Sequence, residues 1–138
     1  MYFGKKRKMN SSDRVPPNQN VTTTFPVLHS GSVPYYEDSS KWNLQIYGLV
    51  ENPKLYSLEE ILTIFPQVEL SNDIHCVTGW SKLDTSWKGV KTRDLVKDVS
   101  IQSHAKHVVL HAEEGWTTNL TIEDFLKETS LLAHSYNN

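Results

Sequence analysis

The lone cysteine, Cys76, sits in a segment unlike the rest of the chain. His75-Cys76-Val77-Thr78-Gly79-Trp80-Ser81-Lys82-Leu83-Asp84-Thr85-Ser86-Trp87-Lys88-Gly89-Val90 gathers a thiol, two indoles and two glycines in one stretch. Lone cysteines in apolar runs usually serve as small core hydrophobes. A cysteine where a strand opens into a polar, glycine-containing turn points instead to a nucleophile or a single thiolate ligand. A lone thiolate holds a bare metal poorly, so the second option needs further donors from histidines or from a cofactor. His104, His107 and His111 are three and four apart, a spacing that would cluster them on a helix. Val108-Val109-Leu110 favours a strand, however, which separates His104 from the other two. For Cys–His hydrolysis, His75 points to the opposite strand face from Cys76, leaving His29, His111 or His134 as the base, and spacing selects none of them. Glu113-Glu114 offers paired carboxylates for acid–base work, although adjacent carboxylates in a polar loop are ordinarily solvated.

The elements that must position these groups follow from periodicity. Trp42, Leu44 and Ile46 alternate with Asn43 and Gln45, the two-residue period of a half-buried strand, and Asn52-Pro53 then turns the chain. Ser57-Leu58-Glu59-Glu60 is a capping box followed by Ile61, Leu62 and Phe65 at helical spacing, with Pro66 marking the helix end. Val68, Leu70 and Ile74 predict a strand running into His75-Cys76, and Val77 to Gly89 reads as a long connector. Thr92 is placed to cap a short helix containing Leu95, Val96 and Val99, and His107–Ala112 predicts a further strand. Glu113–Asn119 reads as a loop, Thr121 and Asp124 as a second capping box, and Leu131–His134 as the start of a last strand. Strands and helices that alternate in this way give an α/β or α+β domain.

The 138 residues suffice for about one domain on a prior of roughly 150 residues. The apolar content is 38 %, lean against the roughly 45–50 % usual for globular domains. A single cysteine excludes an internal disulfide and a multi-thiolate zinc site, and fits a reducing, cytoplasmic setting. Net charge is −2 and unevenly spread. Lys5, Lys6, Arg7, Lys8 and Arg14 against Asp13 give residues 1–14 a net +4, leaving −6 on the remainder. Residues 1–24 therefore read as a polar, basic N-terminal arm and residues 25–138 as the domain. That balance argues against a nucleic-acid partner, whose binding would rest on the arm alone. No apolar run approaches the ~18 residues of a membrane span, and Met1–Asn10 lacks the apolar stretch of a secretory signal.

The run from Cys76-Val77-Thr78-Gly79-Trp80-Ser81 to Trp87-Lys88-Gly89-Val90 resembles the cofactor loop of the oxidoreductase molybdopterin-binding domain, the sulfite oxidase superfamily. The similarity is to its small single-domain bacterial and archaeal members, relatives of the methionine sulfoxide reductase catalytic subunit. Arg14-Val15-Pro16-Pro17-Asn18-Gln19, Phe25 to Gly31, Trp42 to Gly48 and His111 to Leu120 support it in the same order.

The resemblance implies an α+β molybdopterin-binding fold, a mixed β-sheet with short helices. It also implies a molybdenum–molybdopterin cofactor, with Cys76 as its metal ligand and catalytic residue. Val27, Leu28 and His29, together with Cys76, Gly79 and Trp80, are implied to approach the pterin, as are His111, Thr117 and Thr118. The implied chemistry is oxygen-atom or two-electron transfer on a small-molecule substrate, with electrons from a separate redox partner. Gly79-Trp80-Ser81-Lys82 stands where sulfite oxidases carry an arginine-bearing turn, so a sulfoxide-like substrate is expected in preference to sulfite. The family continues beyond the position of Tyr136-Asn137 with a Gly-rich strand and a basic stretch. The chain is accordingly expected to be a C-terminally truncated copy with strands missing, exposed edges that favour a homodimer, and, as the alternative, a catalytically inert role in structure or binding. A thiol enzyme with Cys76 as nucleophile is a further alternative.

Overall fold

The structure is a computed structural model and describes residues 11–26, 32 and 34–137. In chain order it consists of a one-turn helix α1 (Ser11–Arg14), β1 (Asn20–Val21), a 3-10 turn (Ser39–Lys41), β2 (Asn43–Ile46), β3 (Lys54–Ser57), α2 (Leu58–Ile64), β4 (Gln67–His75), β5 (Trp80–Lys91), α3 (Thr92–Leu95), β6 (His107–His111), a second 3-10 turn (Glu113–Gly115), β7 (Thr117–Thr121), α4 (Ile122–Phe125) and β8 (Leu131–Tyr136). β4 runs antiparallel along β5 from Gln67 opposite Val90 to His75 opposite Ser81. The other side of β5 is shared by β1, parallel at Trp80 and Ser81, and β8, antiparallel at Trp87 to Lys91. β2–β3 and β6–β7 form separate antiparallel hairpins. A mixed sheet with short helices is the α+β class expected.

The stretch Val77–Gly89, expected as a connector, is mostly strand. Its fully buried positions hold Ser81 and Thr85 rather than aliphatic residues, so hydropathy alternation does not reveal them. Thr85 is satisfied there by donating to the Asn72 carbonyl at 2.6 Å, which removes the penalty for burying a hydroxyl. Gly89 closes the series for a steric reason. A Cβ on it would stand 2.8 Å from the Ala133 Cα and closer still to the Leu132 carbonyl oxygen, so β8 can approach only a glycine.

β5 also carries a bulge. Asn72 pairs with Thr85 and Ile74 with Lys82, so Leu83 and Asp84 together oppose Asp73, and Asp84 adopts the left-handed φ of 56°. A bulge flips the facing of everything beyond it. Trp80 and Trp87, an odd number of positions apart, therefore share a face, where Phe25 lies 6.0 Å from one ring and 6.5 Å from the other and Tyr136 lies 4.8 Å from Trp87.

The bulge sets the Asp73 and Asp84 carboxylates side by side, and Arg14 answers both. Its Nε donates to Asp73 Oδ2 at 2.8 Å, and an Nη donates to Asp73 Oδ1 and to Asp84 Oδ1, the latter at 2.7 Å. Residues 14–24, read from sequence within a polar arm, thus run as a strap along the sheet end, ending in β1.

At the other end of β5 lies the main core, Ile61, Val90 and Leu95, with Trp42, Leu44, Ile46, Tyr56, Phe65 and Leu132 packed against it. The Ser57–Glu60 capping box is formed as expected, and Gln67 closes the far end of α2 by donating to the Ile61 and Phe65 carbonyls at 2.9 and 3.0 Å. Thr92 does not cap a longer helix. Its buried hydroxyl donates to the Phe125 carbonyl, tying α3 to α4, and α3 ends after one turn at Leu95.

Gly89→Ala is expected to force β8 away from β5, costing about 3 kcal/mol or more as an overpacked site that backbone atoms line; a wild-type melting temperature in the variant would contradict this. Arg14's hydrogen bonds hold the Asp73 carboxyl below the usual carboxylate range, against a partial burial that raises it. A depressed folded value means that the contribution is complete above the unfolded ~3.9 and is lost as pH falls through the lower folded value. Asp73→Asn should therefore be less stable than wild type at pH 6, with the difference shrinking only as pH falls below the unfolded carboxylate value and vanishing below the depressed folded one, as read from urea midpoints.

Candidate functional site

β4 and β5 are joined by Cys76, Val77, Thr78 and Gly79, and because Cys76 bonds to Trp80 the loop proper is the last three of these. Cys76 N–H donates to the Trp80 carbonyl at 2.9 Å, and Gly79 N–H donates back to the Cys76 carbonyl at 3.0 Å. Three-residue hairpin loops of this kind need a left-handed residue in the last position, and Gly79 supplies it with φ +90°. The turn leaves Val77 almost wholly in solvent, 99 % exposed, and places the half-buried Cys76 at the rim of the sheet.

The thiol has a hydrogen-bond partner. Thr78 Oγ1 donates to Cys76 Sγ at 3.2 Å. Together with the backbone N–H groups of Thr78 and Val77, this hydroxyl draws the thiol below its ordinary range, outweighing the opposing effect of burial. A hydroxyl donating to the sulfur favours the thiolate, the form that attacks electrophiles and binds metals.

No histidine completes a hydrolytic pair among the described residues. His75 Nδ1 is bonded to Ser81 Oγ at 2.8 Å, His134 Nε2 to Gln67 Oε1 at 2.8 Å, and His111 is stacked on Tyr47 at 6.4 Å. His29 lies outside the described residues. The three-histidine cluster is likewise not formed, since His107 and His111 lie on β6 and His104 precedes it. Among the described residues, no group of three or more His, Cys, Asp and Glu could hold a metal ion.

Of the other site residues expected from sequence, Gly79 and Trp80 are hydrogen-bonded to the Cys76 backbone. Among the described residues Trp80 Nε1 is buried with no hydrogen-bond partner, a donor four residues from Cys76. His111 pairs with Thr117 across the β6–β7 hairpin, and Thr118 pairs with Leu110. No hydrogen bond joins these three to the Cys76 turn among the described residues. The chain nevertheless tethers the two regions. Phe25 packs on Trp80, while Ser32 and Tyr36 donate to Glu114 and Glu113 at the hairpin tip, and the seven chain steps from Phe25 to Ser32 reach at most about 25 Å. The glutamate pair is thus engaged by hydroxyls. Val27, Leu28 and His29 lie outside the described residues.

A family model, the oxidoreductase molybdopterin binding domain, matches residues 30–138. The chain belongs to that family. It is similar to the uncharacterized oxidoreductase YuiH of Bacillus subtilis, 61 % identical over 137 residues, which cover 99 % of this chain and 69 % of that protein. The protein-methionine-sulfoxide reductase catalytic subunit MsrP of Burkholderia mallei is 34 % identical over 67 residues, 49 % of this chain and 20 % of that one. The sulfane dehydrogenase SoxCD of Paracoccus pantotrophus shares the fold, with a TM-score of 0.66 at 19 % identity, covering 79 % of this chain and 32 % of its own. This is a molybdopterin-binding oxidoreductase domain. No helix among the described residues is long and apolar enough to cross a membrane.

The contributions of Arg14, Gln19 and Thr78 are not marked by spacing. The block Arg14–Gln19 stands out in the sequence only as part of the family resemblance. Thr78→Val removes the hydroxyl that donates to Sγ, so the thiol should move back up toward its ordinary range. The pH midpoint for alkylation of Cys76 in metal-free protein is expected to rise; an unchanged midpoint would refute the assignment of Thr78.

Proposed function

We propose that Cys76 is the protein ligand of a molybdenum–molybdopterin cofactor and that the domain carries out oxygen-atom or two-electron transfer on a small substrate, sulfoxide-like rather than sulfite. The observation that carries this reading is the donor set at the turn: one thiol that accepts from Thr78 Oγ1 at 3.2 Å, with no group of three or more His, Cys, Asp and Glu able to hold a metal ion by itself among the described residues. A bare ion is poorly served by one thiolate, whereas a metal already held by sulfur needs only one more soft donor. The unpartnered Trp80 Nε1 fits the same group, because a buried donor without an acceptor is costly unless a ligand meets it.

When bound, the cofactor supplies the two-electron change at its metal, and the chain's own residues supply placement and electrostatics. In this reading Cys76 holds the metal, the Thr78 hydroxyl donates to its sulfur, and Gly79 and Trp80 face the pterin. Val27, Leu28, His29, His111, Thr117 and Thr118 are the further contacts proposed. The preference against sulfite is supported by Lys82. Its ammonium donates to the Thr23 carbonyl and lies 5.4 Å from the Phe25 ring centroid, so the cation of the Gly79–Lys82 turn is already engaged instead of facing an anion. The name of MsrP points in the same direction. A separate redox partner and a reducing, cytoplasmic setting belong to the same proposal, the latter supported by the single cysteine.

Elemental mass spectrometry on protein made in a host that synthesises the cofactor tests the central claim. Near-stoichiometric molybdenum in wild type that is lost in Cys76→Ala is the expected result; metal in neither would leave the inert alternative. Viologen-coupled reduction of methionine sulfoxide, set beside sulfite oxidation, then decides the substrate class.

A further inference from the structure

The strap that Arg14 clamps to the sheet passes directly over the Cys76 turn. Asn20 N–H donates to the Gly79 carbonyl at 2.9 Å and Thr22 N–H to the Ser81 carbonyl at 2.8 Å, so strap backbone holds the C-terminal side of the turn. Gln19, half-buried, holds the other side. Its Nε2 donates to the Cys76 carbonyl at 2.9 Å, and its Oε1 accepts from Ser81 Oγ at 3.1 Å. Ser81 is fully buried and bonded in turn to His75 Nδ1 at 2.8 Å.

The order of protons along this chain follows from its end. A peptide carbonyl only accepts, so the amide nitrogen of Gln19 must face Cys76 and its oxygen must face Ser81. Ser81 then spends its proton on Gln19, and His75 Nδ1 must carry a hydrogen to donate to Ser81. A side chain with a donor at one end and an acceptor at the other is required here, and glutamine has both. The Cys76 carbonyl already accepts from Gly79 N–H, so the bond from Gln19 uses its second lone pair and fixes the peptide plane from a segment 57 residues away in sequence.

We propose that Gln19 is a positioning residue for Cys76: its carboxamide, bridging the Cys76 carbonyl and the buried Ser81 hydroxyl, sets the direction in which the thiol leaves the turn. This rests on the reading of Cys76 as the cofactor's ligand, but the bridge itself is a property of the polypeptide. Losing it frees the peptide that carries the sulfur and loosens the hold of Thr78 on Sγ.

The test uses metal-free full-length protein, in which Cys76 is the sole thiol, and follows its alkylation by iodoacetamide at pH 7.5. Gln19→Met keeps the length but neither hydrogen bond, and Gln19→Glu sets an acceptor against the Cys76 carbonyl. Both are expected to react about threefold or more slowly than wild type while circular dichroism shows an unchanged fold. Wild-type rates in folded variants would overturn the proposal. Should either variant fail to fold, Ser81→Ala removes the other end of the bridge, and the same slowing supports the proposal while its absence overturns it. Molybdenum content in the same variants separates the two claims. Slowed alkylation with a wild-type protein that binds no metal overturns the ligand reading and leaves the bridge standing; normal metal with unchanged alkylation overturns the bridge alone.

Discussion

The extra residue at Leu83–Asp84 in β5 is the constraint from which the working end of the domain follows. It turns Trp80 onto the face that Trp87 occupies, so that Phe25 can pack against both, and it brings the Asp73 and Asp84 carboxylates together. Two like charges so placed would repel, and Arg14 resolves this by donating to both. A guanidinium suits the task because its planar fork reaches two carboxylates at once. Since Arg14 stands at the start of the strap, answering the bulge also draws residues 18–22 across the Cys76 turn. The geometry of the thiol thus descends from an irregularity eight residues further along the chain.

Position on the sheet explains why small and polar residues recur where a core would be expected. β5 is covered on both edges and approached closely by its neighbours, so Ser81, Thr85 and Gly89 occupy its tightest positions. Each hydroxyl there has a partner, which keeps burial from being destabilising. The apolar weight falls instead on the other end, where α2, α3 and the β2–β3 hairpin enclose Val90. The two ends divide the labour: aliphatic packing holds the fold, and hydrogen bonds with aromatic contacts shape the turn.

Much of this was legible in the residues. The α2 capping box, the strand into Cys76 and the α+β class follow from periodicity and capping chemistry, and the family was apparent from the Cys76 segment. The strand nature of Trp80–Lys91 was not, because its buried positions are hydroxyls and a glycine, and because the bulge breaks the two-residue period on which strand recognition relies. Nor was the reach of Arg14 and Gln19, since nothing local to residues 14–19 records an interaction partner some 60 residues away. Among the proposed contacts, Gly79 and Trp80 bond to the Cys76 backbone, while His111, Thr117 and Thr118 sit on a separate hairpin.

The strap also has a meaning in time. A chain synthesised from its N-terminus presents residues 14–22 long before the partners that hold them, and the Arg14–Asp73 contact joins residues 59 positions apart. Contacts of such separation form late, after local helices and hairpins, because the entropy of closing the loop must be met first. The β4–β5 hairpin, with its short turn, assembles on its own schedule. Through that interval the cysteine's turn exists without its cover, and the docking of the N-terminal segment is the event that completes it.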